Sequence, residues 1–126
     1  MKLVIASDHA GLELRQELIN LLKESSVAFD DVGPTTRDSV DYPDFAVKVS
    51  RAVAAGEYTL GVLVCGTGIG MSMVANKHRG IRAALCSTEF EARMARAILD
   101  AFLATPFEGG RHAKRVQKIH DAETAG

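Results

Sequence analysis

Short apolar runs alternate with stretches whose apolar positions recur at helical spacing. Leu3-Val4-Ile5-Ala6 predicts a strand, and Leu14, Leu18, Leu21 and Leu22 then predict a helix that ends at Lys23-Glu24. Val27-Ala28-Phe29 predicts a second strand, closed by Asp30-Asp31-Val32-Gly33-Pro34 and a polar loop to Val40. Asp41 can cap the next helix, Pro43 lies in its first turn where a missing N–H costs little, and Tyr42, Phe45, Ala46, Val49, Ala52 and Val53 share a face. Leu60-Gly61-Val62-Leu63-Val64-Cys65 is apolar on both alternating faces, as a central strand covered on both sides should be. A short helix to about His78 and a fourth strand over Ile81-Arg82-Ala83-Ala84-Leu85-Cys86 follow. Thr88 and Glu91 stand at capping-box spacing, and Phe90, Met94, Ile98 and Phe102 carry one long helix from Thr88 to Ala104, before Pro106. Gly109-Gly110 separate it from a last, basic helix with Arg111, Lys114, Arg115 and Lys118.

Strands alternating with helices predict an α/β protein with a doubly wound, Rossmann-like parallel sheet in an α/β/α arrangement, its ligands at the carboxyl ends of the strands. No repeat, low-complexity tract or linker marks a second domain, so residues 1–126 are expected to form one. At 47% hydrophobic content such a chain can bury its own core. The net charge of -1, from 15 basic and 16 acidic residues, gives no overall drive toward nucleic acid or an anionic membrane, so any anion site must be local and a small molecule is the favoured partner. The opening Met1–Ser7 stretch is too short for a signal-peptide core and no later run approaches membrane-spanning length; a cytoplasmic protein is expected. Cys65 and Cys86 each end an apolar run, which suits free thiols rather than a disulfide or a metal site.

Two strand ends carry chemistry. Asp8-His9 follows the first strand and Cys65-Gly66-Thr67-Gly68-Ile69-Gly70 the third, which puts both on the ligand-binding edge. Glycines let backbone N–H groups approach an oxyanion or phosphate, and the helix start that follows adds partial positive charge, so Cys65 is placed to act as a thiolate base or nucleophile. The competing readings are a tight turn for the glycines and a small buried hydrophobe for either cysteine; the glycine loop favours function at Cys65, while Cys86 keeps the buried reading. A dinucleotide fingerprint fails because its third glycine would fall at Met71. Arg111 and Arg115, one helical turn apart with His112 and Lys114 beside them, suit either a phosphate clamp or a solvated basic face.

Ser7-Asp8-His9-Ala10-Gly11, Asp41-Tyr42-Pro43, the Cys65–Gly70 loop, Ala75-Asn76-Lys77 with Gly80-Ile81-Arg82-Ala83, and Phe107-Glu108-Gly109-Gly110-Arg111-His112 together resemble the type B ribose-5-phosphate isomerase and galactose-6-phosphate isomerase family. The resemblance spans nearly the whole chain, and the cysteine before Gly-Thr-Gly resembles the ribose-5-phosphate branch. It implies a homodimeric or tetrameric aldose–ketose isomerase that needs no metal or cofactor, takes a phosphorylated pentose or hexose, and interconverts ribose 5-phosphate and ribulose 5-phosphate in the pentose phosphate pathway. By the same resemblance Cys65 is the base, Thr67 assists ring opening, and the backbone of Gly66, Gly68, Ile69 and Gly70 holds the enediolate. Asp8 contacts sugar hydroxyls, Tyr42 lines the site, and His9, Arg111 and Arg115 hold the phosphate, the arginines reaching across a dimer interface. One block of the family pattern is absent: Arg96 runs directly into Ala97-Ile98-Leu99, where the family has a His-Asn segment and a further strand. The expected sheet is therefore one strand short of the family, and a phosphosugar-binding protein impaired in catalysis is the alternative function; a nucleotide-binding domain is a third reading.

Overall fold

The computed structural model describes residues 1–86 and 92–125. Three parallel strands, β1 (Lys2–Ser7), β2 (Ala28–Asp31) and β3 (Leu60–Val64), lie in the order β2-β1-β3. Leu3 pairs with Phe29 on one side and Leu60 on the other, and Ser7 pairs with Val64. Because side chains alternate across a strand, Leu3 and Ile5 point to one face and Val4 and Ala6 to the other, and all four are buried. Helices cover both faces, which explains a continuous apolar run where one solvated face would have given alternation.

On the first face α1 (Leu12–Glu24) buries Leu18, Ile19, Leu21 and Leu22 against Leu3 and Ile5, and α4 (Ala92–Ala104) adds Ala95 and Leu99 to the same core. The second face holds α2 (Tyr42–Ala54), whose Val49 meets Val4 and Ala6, and α3 (Ile69–Asn76), which packs on α2 and buries Met71 and Ala75. Asp41 and Pro43 stand at the start of α2 as the sequence predicts, although no side chain caps it. The result is a three-layer α/β/α sheet. α5 (Arg111–Ala125) begins after Gly109 and Gly110 and buries none of its residues. No described helix is long and apolar enough to cross a membrane.

Three expectations need correction. Leu60–Val64 is not the central strand: β1 lies between β2 and β3, and β3 ends the order of the described strands with only Val64 buried, because it pairs on one side alone. The fourth strand does not form: residues 81–86 join no ladder, and Arg82, Ala84, Leu85 and Cys86 are exposed. An apolar run becomes a central strand only when elements on both faces cover it, and here no described helix or strand supplies that cover. In place of a ladder, the Asn76 amide donates to the Ala83 carbonyl at 2.9 Å and accepts the Ala83 N–H at 2.8 Å. Cys86 is consequently an exposed free thiol rather than a buried hydrophobe. The long helix is described from Ala92 onward and lies along α1. The capping reading at Thr88 and Glu91, and the roles of Phe90 and the Met94 side chain, lie outside the described residues.

Candidate active site

Parallel pairing of β1 with β3 sets their carboxyl ends side by side. The Asp8 N–H donates to the Val64 carbonyl at 3.0 Å, and the Asp8 carboxylate, nearly buried, accepts the Gly11 N–H at 3.0 Å. Gly11 then lies so close to Val64 that a Cβ on it would fall 2.8 Å from the Val64 carbonyl oxygen. Asp8 and Cys65 thus share one edge.

Cys65 is half-buried where β3 ends, and the Gly68 N–H donates to its sulfur at 3.1 Å. Gly68 has φ +79, a left-handed conformation that lets the loop fold back over the thiol before α3 begins. The Thr67 hydroxyl accepts the Ile69 N–H at 3.2 Å, no side chain caps α3, and Gly66 and Thr67 face solvent. A helix start with open N–H groups carries partial positive charge and suits an anionic oxygen. Tyr42, at the start of α2, lays its ring on Gly70, where a Cβ would come within 2.5 Å of the ring carbon bearing the hydroxyl. His9 is exposed, and its Nδ1 accepts the Val40 N–H at 3.1 Å. The neutral ring therefore carries its proton on Nε2, free to donate outward.

Asp8, His9, Tyr42 and the Cys65–Gly70 loop are brought to one edge; Arg111 and Arg115 are not. Both are exposed on α5, where Arg115 approaches His112 Nδ1 at 3.4 Å and His112 Nε2 stands 3.5 Å from Glu108. Among the described elements α5 packs on no other helix or strand; the Gly80 N–H donates to Glu123 at 3.1 Å, and a shallow cleft separates Ile119 and Ala122 from Ile81 and Ala83. That cleft, and another beside α2 at Val47, Arg51 and Tyr58, lie away from Cys65.

Sequence reasoning missed Arg15. It is 8% exposed, donates to Ser7 Oγ at 2.9 Å and to the Pro34 carbonyl, and pairs with Asp31 at 3.4 Å. The available signal was a charge on the apolar stripe, three residues before Leu18 and seven before Leu22. At the other end of the sheet, Lys2 pairs with Asp30 at 2.8 Å and the Tyr58 hydroxyl donates to Asp30 at 2.6 Å. The Lys2 bond, with the Tyr58 bond second, holds Asp30 below the usual carboxylate range, and bonding to Asp30 raises both Lys2 and Tyr58.

The profile of the ribose/galactose isomerase family matches residues 3–101. Ribose-5-phosphate isomerase B of Escherichia coli (strain K12) is 37% identical over 139 residues, covering 94% of this chain and 93% of the relative. The solved Clostridium thermocellum ribose-5-phosphate isomerase B superposes with a TM-score of 0.95 at 40% identity, over 99% of both chains. The Mycoplasma genitalium enzyme of the same name, solved with bound ribulose-5-phosphate, gives 0.92 at 35% identity over 99% of this chain and 97% of its own. Fold and loop together define a sugar-phosphate isomerase. The chain belongs to the ribose/galactose isomerase family. It is also short for that family: the alignment with YwlF of Bacillus subtilis (strain 168), 41% identical, runs over 145 positions, 19 more than the 126 residues present here.

Proposed function

We propose that this chain interconverts ribose 5-phosphate and ribulose 5-phosphate, with Cys65 as the base. The observation that carries the reading is the thiol held at the end of β3 beneath the Gly68 N–H, on the edge that also presents Asp8. In the open-chain aldose the Cys65 thiolate removes the proton from C2, giving an enediolate whose oxygens lie against the N–H groups of residues 66–70. The Cys65 thiol, whose proton can exchange with solvent, returns a proton to C1, and the hydroxyl proton passes from O2 to O1, so the ketose forms with no net gain or loss. Asp8 meets sugar hydroxyls, Tyr42 closes one side, Thr67 assists ring opening, and His9 donates from Nε2 to the phosphate. The bound ribulose-5-phosphate in the Mycoplasma genitalium relative supports this substrate class.

α5 packs on no other described helix or strand, which suits the reading that Arg111 and Arg115 serve the phosphate of a second copy; a homodimer or tetramer of one-domain subunits, working in the cytoplasm without metal, completes the reading. Replacing Cys65 with Ala tests it: turnover of ribose 5-phosphate should vanish while the fold persists, and retained turnover would remove Cys65 as the base. A binding-only protein is the second reading, favoured by the positions that the longer relative has and this chain lacks. By the family resemblance the absent His-Asn segment holds the histidine expected to open the furanose ring; general acid–base help is worth ~10²–10⁴-fold, so its loss should slow the closed sugar more than the open ketose. Ribulose 5-phosphate in deuterated water should then exchange its C1 proton faster than ribose 5-phosphate isomerises. Binding by calorimetry with no exchange above the Cys65→Ala background would establish the second reading instead.

A further inference from the structure

We propose that Arg15 is a positioning residue for the sugar-phosphate site, an inference that rests on the isomerase reading. Its guanidinium turns its three nitrogens to two segments: Nη1 to Ser7 at the end of β1, and Nη2 and Nε to the Pro34 carbonyl and Asp31, at the end of β2 and in the loop that follows it. The two segments are further stitched by the Ser7 N–H on the Gly33 carbonyl at 3.1 Å and by the Gly33 N–H on Asp31 at 3.1 Å. Burying a charge is costly unless it is paired and hydrogen-bonded; here Asp31 pairs with the guanidinium, each of whose three nitrogens has an oxygen partner.

What these segments carry makes the clamp matter to the site. From Ser7 the chain passes to Asp8, whose carboxylate holds the Gly11 N–H, and Gly11 sits against Val64 immediately before Cys65. From Pro34 the loop runs to Val40, whose N–H fixes His9 Nδ1, and on to Tyr42 over Gly70. One planar fork therefore sets the separation of both loops, although Arg15 itself lies behind them and touches none of the proposed reacting groups. Lysine cannot replace it: a single ammonium on a flexible stem does not reproduce three donors in a fixed plane.

Groups held this way meet the non-reacting parts of the sugar phosphate, so disturbing them weakens ground state and transition state alike, which raises KM and leaves kcat. For Arg15→Lys we expect KM for ribose 5-phosphate to rise about tenfold with kcat within about twofold. Amide exchange at Gly11 and Val40 should quicken in the same variant. Leu22→Ala, a core truncation on the same helix, serves as the stability control: it should lower the melting temperature while leaving KM and the local exchange at Gly11 and Val40, measured well below its melt, as in the wild type. Unchanged KM in Arg15→Lys, unchanged exchange at both amides, or changes equal to those of Leu22→Ala would each overturn the proposal. Absence of turnover in the wild type would instead overturn the isomerase reading, and amide exchange would then decide alone whether Arg15 orders the two loops.

Discussion

Adding one methyl group at Gly11 probes the contact between the first loop and the end of β3. A Cβ there meets Val64 Cγ1 and the Val64 carbonyl oxygen at 2.8 Å each, and the carbonyl carbon at 3.0 Å. The side-chain methyl can rotate, but the backbone carbonyl cannot, because it already accepts the Asp8 N–H at 3.0 Å. Overpacking of this kind costs ~1–3 kcal/mol, offset by ~0.4–1 kcal/mol because alanine restricts the unfolded chain. With an unfolding entropy of ~2.1 cal/mol/K per residue, 126 residues lose roughly 4 °C of melting temperature per kcal/mol, so Gly11→Ala should melt lower, by up to roughly 10 °C. Circular dichroism melts measure this, and isomerisation kinetics on the same samples show whether the site moves with the contact. Gly61→Ala is the matched control: its Cβ would meet Val49 at 2.7 Å and Val53 at 3.3 Å, under α2, so it should cost comparable stability and leave kcat/KM alone. A Gly11→Ala protein that melts at or above the wild type would refute the packing argument. One that loses stability but keeps full kcat/KM would refute the link between this contact and the site.

Gly70→Ala should displace the Tyr42 ring, because the added carbon would fall 2.5 Å from it; KM should rise, and Tyr42→Ala combined with Gly70→Ala should add little to either single change, as a double-mutant kinetic cycle would show. Asn76→Ala removes both bonds to Ala83, and the Ala83 amide should lose its exchange protection while stability falls by no more than ~1–3 kcal/mol. Asp30→Asn tests the surface trio. Asp30 is held below its ordinary 3.8, so its contribution exists above that pH and fades as pH falls through the folded value. Lys2 is raised above 10.5 and Tyr58 above 10.0, so their contributions exist below those values and fade as pH rises through the folded ones. The melting difference between wild type and Asp30→Asn should therefore be greatest between pH 5 and 9 and narrow at both extremes; a difference constant from pH 2.5 to 11 would contradict the assignment.

The parts of the fold that the sequence made legible are those fixed by local pattern. The leucine stripe of α1 carries a helical period, and Leu3–Ala6 and Leu60–Val64 are short apolar runs that read as strands covered by helices; the sheet order was not legible, since β1 and not β3 takes the centre, a matter of which strands pair rather than of local pattern. The Cys65 loop was readable because glycine spacing at a strand end reports backbone geometry directly. Residues 81–86 misled because their apolar content states a preference for a strand, whereas a ladder needs a neighbour and cover that lie elsewhere in the chain. Arg15 was missed for a related reason: a charge on an apolar stripe is intelligible only once Ser7, Asp31 and Pro34 are seen converging on it from other segments. Arg111 and Arg115 show the opposite case, a helix well foreseen whose residues the single chain does not bring to the loop.

The independence of α5 gives the chain two unequal levels of protection. An isolated helix of about 12–15 residues is marginal in water, and this one, with 15 residues and none buried, packs on no other described helix or strand and meets the body at the Gly80–Glu123 bond and the shallow cleft beside Ile81 and Ala83. Opening of α5 alone thus requires far less free energy than opening the sheet, and its amides should exchange with solvent while those of β1 are still locked. Trypsin should find Arg111, Lys114, Arg115 and Lys118 first, trimming the basic end and leaving the three-layer body intact. Any surface that settles on α5 would then be read directly as resistance to that cleavage.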